Sequence, residues 1–158
     1  MGLYLTAIGQ RRVVDEEHPD GIWVTLDIPI QGTRHDNGPY YYQNSYGVTE
    51  PRQHKRGRMG RWAFDFLRYK EIGPSNCRGL PDDLVVPAPV PGKHGYCLDE
   101  DNNENSWLLL SEILDYDFDR VYRDCKEQIT IRDYVGNPFI EYMQELKDQG
   151  VERIVFGF

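Results

Sequence analysis

Nothing in this chain spans a membrane by composition. The most apolar stretch, Ser106-Trp107-Leu108-Leu109-Leu110, falls far short of the ~20 residues a bilayer requires, so no membrane partner is expected. Cysteine is scarce: Cys77, Cys97 and Cys125 are widely spaced and form no C-x-x-C pair, which argues against a disulfide framework or a zinc ribbon. The histidines His18, His35, His54 and His94 are isolated. Only His94-x-x-Cys97 has a ligand-like spacing, and without a second pair no metal is expected. There is no Gly-x-Ser-x-Gly elbow, phosphate-binding glycine loop or dinucleotide fingerprint. No cofactor is expected and no catalytic residue is assigned. The start of the chain, Met1 to Gly9, is too short and too uncharged to read as a secretory signal; the expected setting is the cytoplasm.

What is present is a contrast of charge. The formal net charge is -8, yet residues 31–70 carry eight Lys/Arg against three Asp/Glu, leaving ten against twenty-three elsewhere. Within that segment Arg52, Lys55, Arg56, Arg58 and Arg61 fall inside ten positions, just after Tyr40-Tyr41-Tyr42. A basic, aromatic island therefore sits on an acidic body.

At 158 residues the chain reads as one domain, 1–158, able to bury roughly 68–70% of its unfolded surface. Its apolar fraction of 39% is below the roughly 45–50% of ordinary domains, a figure that also counts Gly. A modest, ring-rich core is expected. Leu3 to Ile8 alternates like a strand, and Gly21 to Ile30 repeats the pattern with Ile22, Val24, Leu26, Ile28 and Ile30 on one face, which predicts an antiparallel pair. Residues 31–60 show no sustained period and read as a basic and aromatic loop insertion, with the tyrosines also suited to a short strand.

From Arg61 to Lys70, Trp62, Ala63, Phe66, Leu67 and Tyr69 recur at helical spacing, and Gly73-Pro74 ends the helix. The proline-rich stretch 75–105 is expected to wrap the surface. The Ser106–Leu110 run precedes two helical turns, and 120–131 suits helix or strand. Asn137-Pro138 predicts a capped helix with Phe139, Met143 and Leu146 buried, and Val151 to Phe158 a closing strand. The fold class is α+β, mainly an antiparallel sheet with N- and C-terminal strands, two to three helices and long loops.

Several fragments resemble a group of small proteins encoded by tailed bacteriophages: Arg78-Gly79-Leu80-Pro81-Asp82-Asp83, Ser106-Trp107-Leu108 with Glu112-Ile113-Leu114-Asp115-Tyr116-Asp117, Ile131-Arg132-Asp133, and Arg153-Ile154-Val155-Phe156. Phe64-Asp65-Phe66-Leu67 fits the same layout, whereas 31–60 falls outside it. The resemblance implies a viral accessory protein, acting in the cytoplasm of a host cell, and no particular reaction. Where the group's pattern has histidines before the Ser-Trp-Leu run, this chain has Asn103-Glu104-Asn105, a departure that argues against a metal at that turn.

Each candidate site has a plainer reading beside it. The island suits phosphate, because guanidinium forks offer paired donors while tyrosine or tryptophan faces stack on a base. Two such charges ~8 Å apart repel by about 0.5 kcal/mol even in water; the plainer answer to that repulsion is the protein's own acidic surface, or that of a second subunit in a homo-oligomer. Duplex nucleic acid is a poor partner, since the acidic remainder would repel it. The run Asp99 to Glu104 lacks the sixth-position glycine of a calcium loop and has Leu110 at the twelfth, so it reads as a solvated loop. Trp107 and Trp62 read as core, and Trp23 as pointing to the opposite sheet face.

The expected function is non-catalytic capture of a small phosphorylated ligand, such as a nucleotide immune signal, by Arg52, Lys55, Arg56, Arg58 and Arg61 with Tyr41, Tyr42 and Trp62. One alternative is a protein-binding inhibitor of a host defence or metabolic protein. Another is a phosphoesterase using His54 as general acid.

Overall fold

The computed structural model describes residues 5–30, 40–43, 49–52, 61–70, 72–74, 77–101, 104–124 and 127–158, with backbone alone for 40–43, 49–52, 61–62, 123–124 and 127. The C-terminal strand is the spine. β1 (Thr6–Val13), β2 (Ile22–Thr25), β7 (Asn105–Leu109) and β10 (Arg153–Gly157) form a sheet of order β2-β1-β10-β7. Every pairing in it is antiparallel, with Ile8 opposite Val155, Gln10 opposite Arg153, and Val155 opposite Trp107. Every residue of β10 is buried, which is why its sequence after Arg153 is apolar without alternation: both of its faces are covered.

The α+β class with strands at both ends is the observed one; there are four helices among the described residues, two of them a single turn. β1 begins at Thr6 and runs on through Arg11-Arg12-Val13, beyond the expected Leu3–Ile8, because pairing with β2 continues the ladder after the apolar alternation stops. β2 pairs as expected but ends at Thr25. Leu26, Ile28 and Ile30 leave the strand and still pack on the main core, while Ile22 and Val24 overhang it and stay exposed.

Four helices cover one sheet face. α1 (Arg61–Arg68) buries Ala63, Phe64, Phe66 and Leu67. Phe66 sits among rings, edge-on to Tyr116 at 5.1 Å and Phe139 at 5.6 Å and stacked on Phe118 at 5.4 Å. Tyr69 falls outside the buried stripe, since the helix ends before it and its ring lies under the Arg68 guanidinium at 5.1 Å. Gly73 donates its N–H to the Tyr69 carbonyl at 2.9 Å, and any Cβ there would collide with the Phe66 carbonyl.

α2 (Leu110–Leu114) follows β7 directly. The ambiguous 120–131 segment is a hairpin of β8 (Val121–Asp124) and β9 (Glu127–Thr130). Thr130 then caps α3 (Ile131–Val135), its hydroxyl accepting from Asp133 N–H at 3.1 Å. α4 (Asn137–Asp148) buries Phe139, Tyr142, Met143 and Leu146. Its cap is Gly136 at φ +84°, not Asn137, which lies inside the helix; glycine holds that left-handed backbone without a Cβ penalty.

The other sheet face is closed by a strap, residues 77–98, with its small hairpin of β5 (Ala88–Pro89) and β6 (Cys97–Leu98). Ala88, Val90 and Leu98 pack on Ile8 and Val155 as a second cluster, flanked by Leu80, Leu84 and Trp107.

Candidate functional site

Of the candidate residues, Tyr41, Tyr42 and Arg52 lie in a hairpin. β3 (Tyr40–Gln43) pairs antiparallel with β4 (Thr49–Arg52), Tyr40 opposite Arg52, Tyr41 opposite Pro51 and Tyr42 opposite Glu50. Strand positions alternate between faces and cross-strand partners share one. Tyr40, Tyr42, Glu50 and Arg52 therefore hold positions on one face of the ribbon, and Tyr41 with Pro51 on the other. Arg61 and Trp62 are the first two residues of α1, whose first turn has no acidic residue. Lys55, Arg56, Arg58 and His54 lie outside the described residues.

A second constellation escaped the sequence reading altogether. On the strap side of the sheet Arg153 is only 3% exposed. Its guanidinium donates to Gln10 Oε1 (2.9 Å from Nε) and forks onto Asp83 at 3.0 and 3.3 Å. The Trp23 ring lies 4.2 Å from it and the Trp107 ring 5.8 Å. Gln10 Nε2 in turn donates to Thr25 Oγ1 at 3.2 Å. Trp107 carries a second guanidinium, that of Arg78 at 4.7 Å.

Arg78 also forks onto Glu112 at 2.6 and 2.8 Å, while Glu112 accepts the Leu109 N–H at 2.9 Å. That fork holds the Glu112 carboxyl below the usual carboxylate range and raises Arg78. So Trp23, Arg153, Trp107 and Arg78 alternate ring and cation, and the strap is tied to the body by ion pairs of opposite polarity. Trp23 does point to the opposite sheet face; Trp107 is half-buried in this ladder. Four of the fragments quoted for the resemblance, around Arg78 to Asp83, Ser106-Trp107, Glu112 and Arg153, meet here. The one signal in the sequence was an arginine heading an otherwise apolar terminal strand.

Elsewhere Arg68 forks onto Glu104 at 2.6 and 2.9 Å, lowering the carboxyl and raising the guanidinium, and stacks on Phe158 at 5.3 Å. Arg132 reaches Asp119 at 3.2 Å. Next to the Arg68 pair the Asn105 Oδ1 is buried without a hydrogen-bond partner. Among the described residues no three His, Cys, Asp or Glu side chains gather as a metal site, and no helix is long and apolar enough to cross a membrane. Cys77 and Cys97 are free, exposed thiols.

No protein-family model matches this chain, and neither the curated proteins nor the solved structures contain a match to it.

Proposed function

We propose that this protein is a viral accessory protein that works by binding, capturing a small phosphorylated ligand of the nucleotide-signal class at the island of Arg52, Lys55, Arg56, Arg58 and Arg61, with Tyr41, Tyr42 and Trp62 offering rings. The observation that carries the reading is where the carboxylates go. Glu104, Glu112, Asp119 and Asp83 are engaged by Arg68, Arg78, Arg132 and Arg153, so these four of the body's acids are not available to neutralise the island. Arg61 opens a helix with no acid in its first turn; a cation at that positive end is unfavourable by about 0.3–1 kcal/mol, and a bound phosphate relieves it. A compact ligand also avoids the repulsion that the acidic remainder imposes on a long polyanion. Of the two tyrosines, Tyr42 shares the ribbon face of Arg52 and is expected to contribute more than Tyr41.

Calorimetric titration with cyclic di- and trinucleotides and with ADP-ribose-type signals tests the proposal. Binding is expected for at least one, and Arg56→Glu with Arg58→Glu is expected to abolish it. No heat with any of them at micromolar protein overturns the reading. Heating the complex separates the rivals: captured ligand returns unchanged, whereas altered ligand identifies a phosphoesterase. A host protein that stays bound after dialysis identifies an inhibitor.

A further inference from the structure

The two edges of the sheet are treated differently. β7's outer edge is covered by the strap: Gly79 donates its N–H to the Asn105 carbonyl at 2.9 Å, the Arg78 N–H reaches Ser106 Oγ at 3.0 Å, and the Arg78 guanidinium reaches the Trp107 carbonyl at 3.3 Å. β2, at the other end, pairs only with β1 among the described residues. Leu26 N–H bonds to the Gly9 carbonyl at 2.9 Å, and bonding alternates along an antiparallel ladder. Val24 and Ile22 therefore bond inward to β1, and the N–H and C=O groups of Trp23 and Thr25 point outward, away from the sheet.

Proteins commonly blunt such an edge with lysine, proline, a bulge or a cover. Ile22-Trp23-Val24-Thr25 contains no lysine or proline and consists of strand-forming residues. Ile22 and Val24 are each 38% exposed and share the helix-side face with Val13, the β1 partner of Ile22. The strand is also held rigid from behind, because the Trp23 ring is stacked on the buried Arg153 guanidinium. An incoming chain would thus meet a preorganised template, with little ordering cost on this side.

The charges around the edge select the occupant. Asp15, Glu16, Glu17 and Asp20 lie in the β1–β2 connection and Asp27 just beyond β2, against Arg11 and Arg12. Arg12 is occupied by the Asp20 carbonyl. A second copy is disfavoured: antiparallel self-pairing of β2 brings the acidic connection of each chain towards Asp27 of the other, at both ends. We propose that the free edge of β2 is a docking strand for an extended, cationic peptide segment with alternating apolar residues, which would add a fifth strand through the Trp23 and Thr25 backbone and seat its side chains on Ile22 and Val24.

The probe is a fluorescent alternating Lys-Val peptide of about six residues, the common strand length, titrated with the full chain and followed by anisotropy. Binding is expected, with loss as salt is raised, and an alternating Glu-Val peptide is expected not to bind. Thr25→Pro removes one outward donor without touching the β1–β2 ladder, and is expected to weaken binding about fivefold. Val24→Lys leaves every backbone group in place and is expected to weaken it further by repulsion; circular dichroism confirms that both variants are folded. Amide exchange should slow at Trp23 and Thr25 on binding, more than at Val24. Absence of any anisotropy change, equal binding of the Glu-Val peptide, affinity unaltered by Val24→Lys, or self-association of the chain by light scattering each overturn the proposal. The Val24→Lys and amide-exchange readouts do not depend on the basic island, so they separate this outcome from the ligand proposed for it.

Discussion

On its helix side the sheet presents Ala7, Leu108, Ile154 and Phe156 to the side chains of α1 and α4; on its strap side the same three strands present Ile8, Gln10, Trp107, Arg153 and Val155. The first face is closed by apolar area and ring packing, which is non-directional and close to additive. The second joins a small apolar cluster to an arginine and tryptophan ladder whose strength depends on each fork finding its carboxylate. A layer too thin to supply a helix-sized core is here fixed in one position by directional contacts, at the cost of desolvating Arg153.

The largest expected effect comes from the helix side. Phe66→Ala removes a fully buried ring with three aromatic neighbours and is expected to cost about 3–5 kcal/mol in urea unfolding. On the strap side Arg153→Met keeps the bulk and loses the forks. Because Asp83 is half exposed and can return to water, the expected cost is smaller, about 1–3 kcal/mol, and the added change Asp83→Asn should cost little more. A loss as great as that of Phe66→Ala would show that the ladder, and not the apolar core, dominates.

Acid comes next. Glu104 and Glu112 have folded-state carboxyls below their ordinary value of 4.5, each through its arginine fork first. Their contribution is present above the unfolded value and is lost as pH falls through the lower folded value, so unfolding should become easier below about pH 4.5. Glu112→Gln should flatten that acid slope on the strap side, and Glu104→Gln on the helix side; denaturation midpoints measured across acid pH test both. The smallest effect is expected from the island, where Arg56→Glu with Arg58→Glu should change stability by no more than about 0.5 kcal/mol. If that pair unfolded the chain, the island would be a structural element and not a ligand site.

Local pattern accounted for much of this. Phe139, Met143 and Leu146 lie three or four apart and form the buried stripe of α4, and Ala63, Phe66 and Leu67 do the same for α1. Such spacing is decided within one or two turns, so it is legible in one dimension. The boundaries of β1 and β2 were not, because ladders end where the neighbouring strand ends and not where alternation stops. Tyr41 and Tyr42 look equivalent in sequence, and only the pairing of Tyr42 with Glu50 and Tyr41 with Pro51 separates them. The strap-side ladder was invisible for the same reason.

By itself the sequence determined the separation of charge between residues 31–70 and the rest, the helical stripes and the apolar closing strand. Tertiary structure alone decided that this strand lies between β1 and β7, and hence that Arg153 meets Gln10 across 143 residues of chain. Periodicity is set by neighbours along the backbone; a register between distant strands is set only when both of their faces are packed at once, and no single segment carries that information.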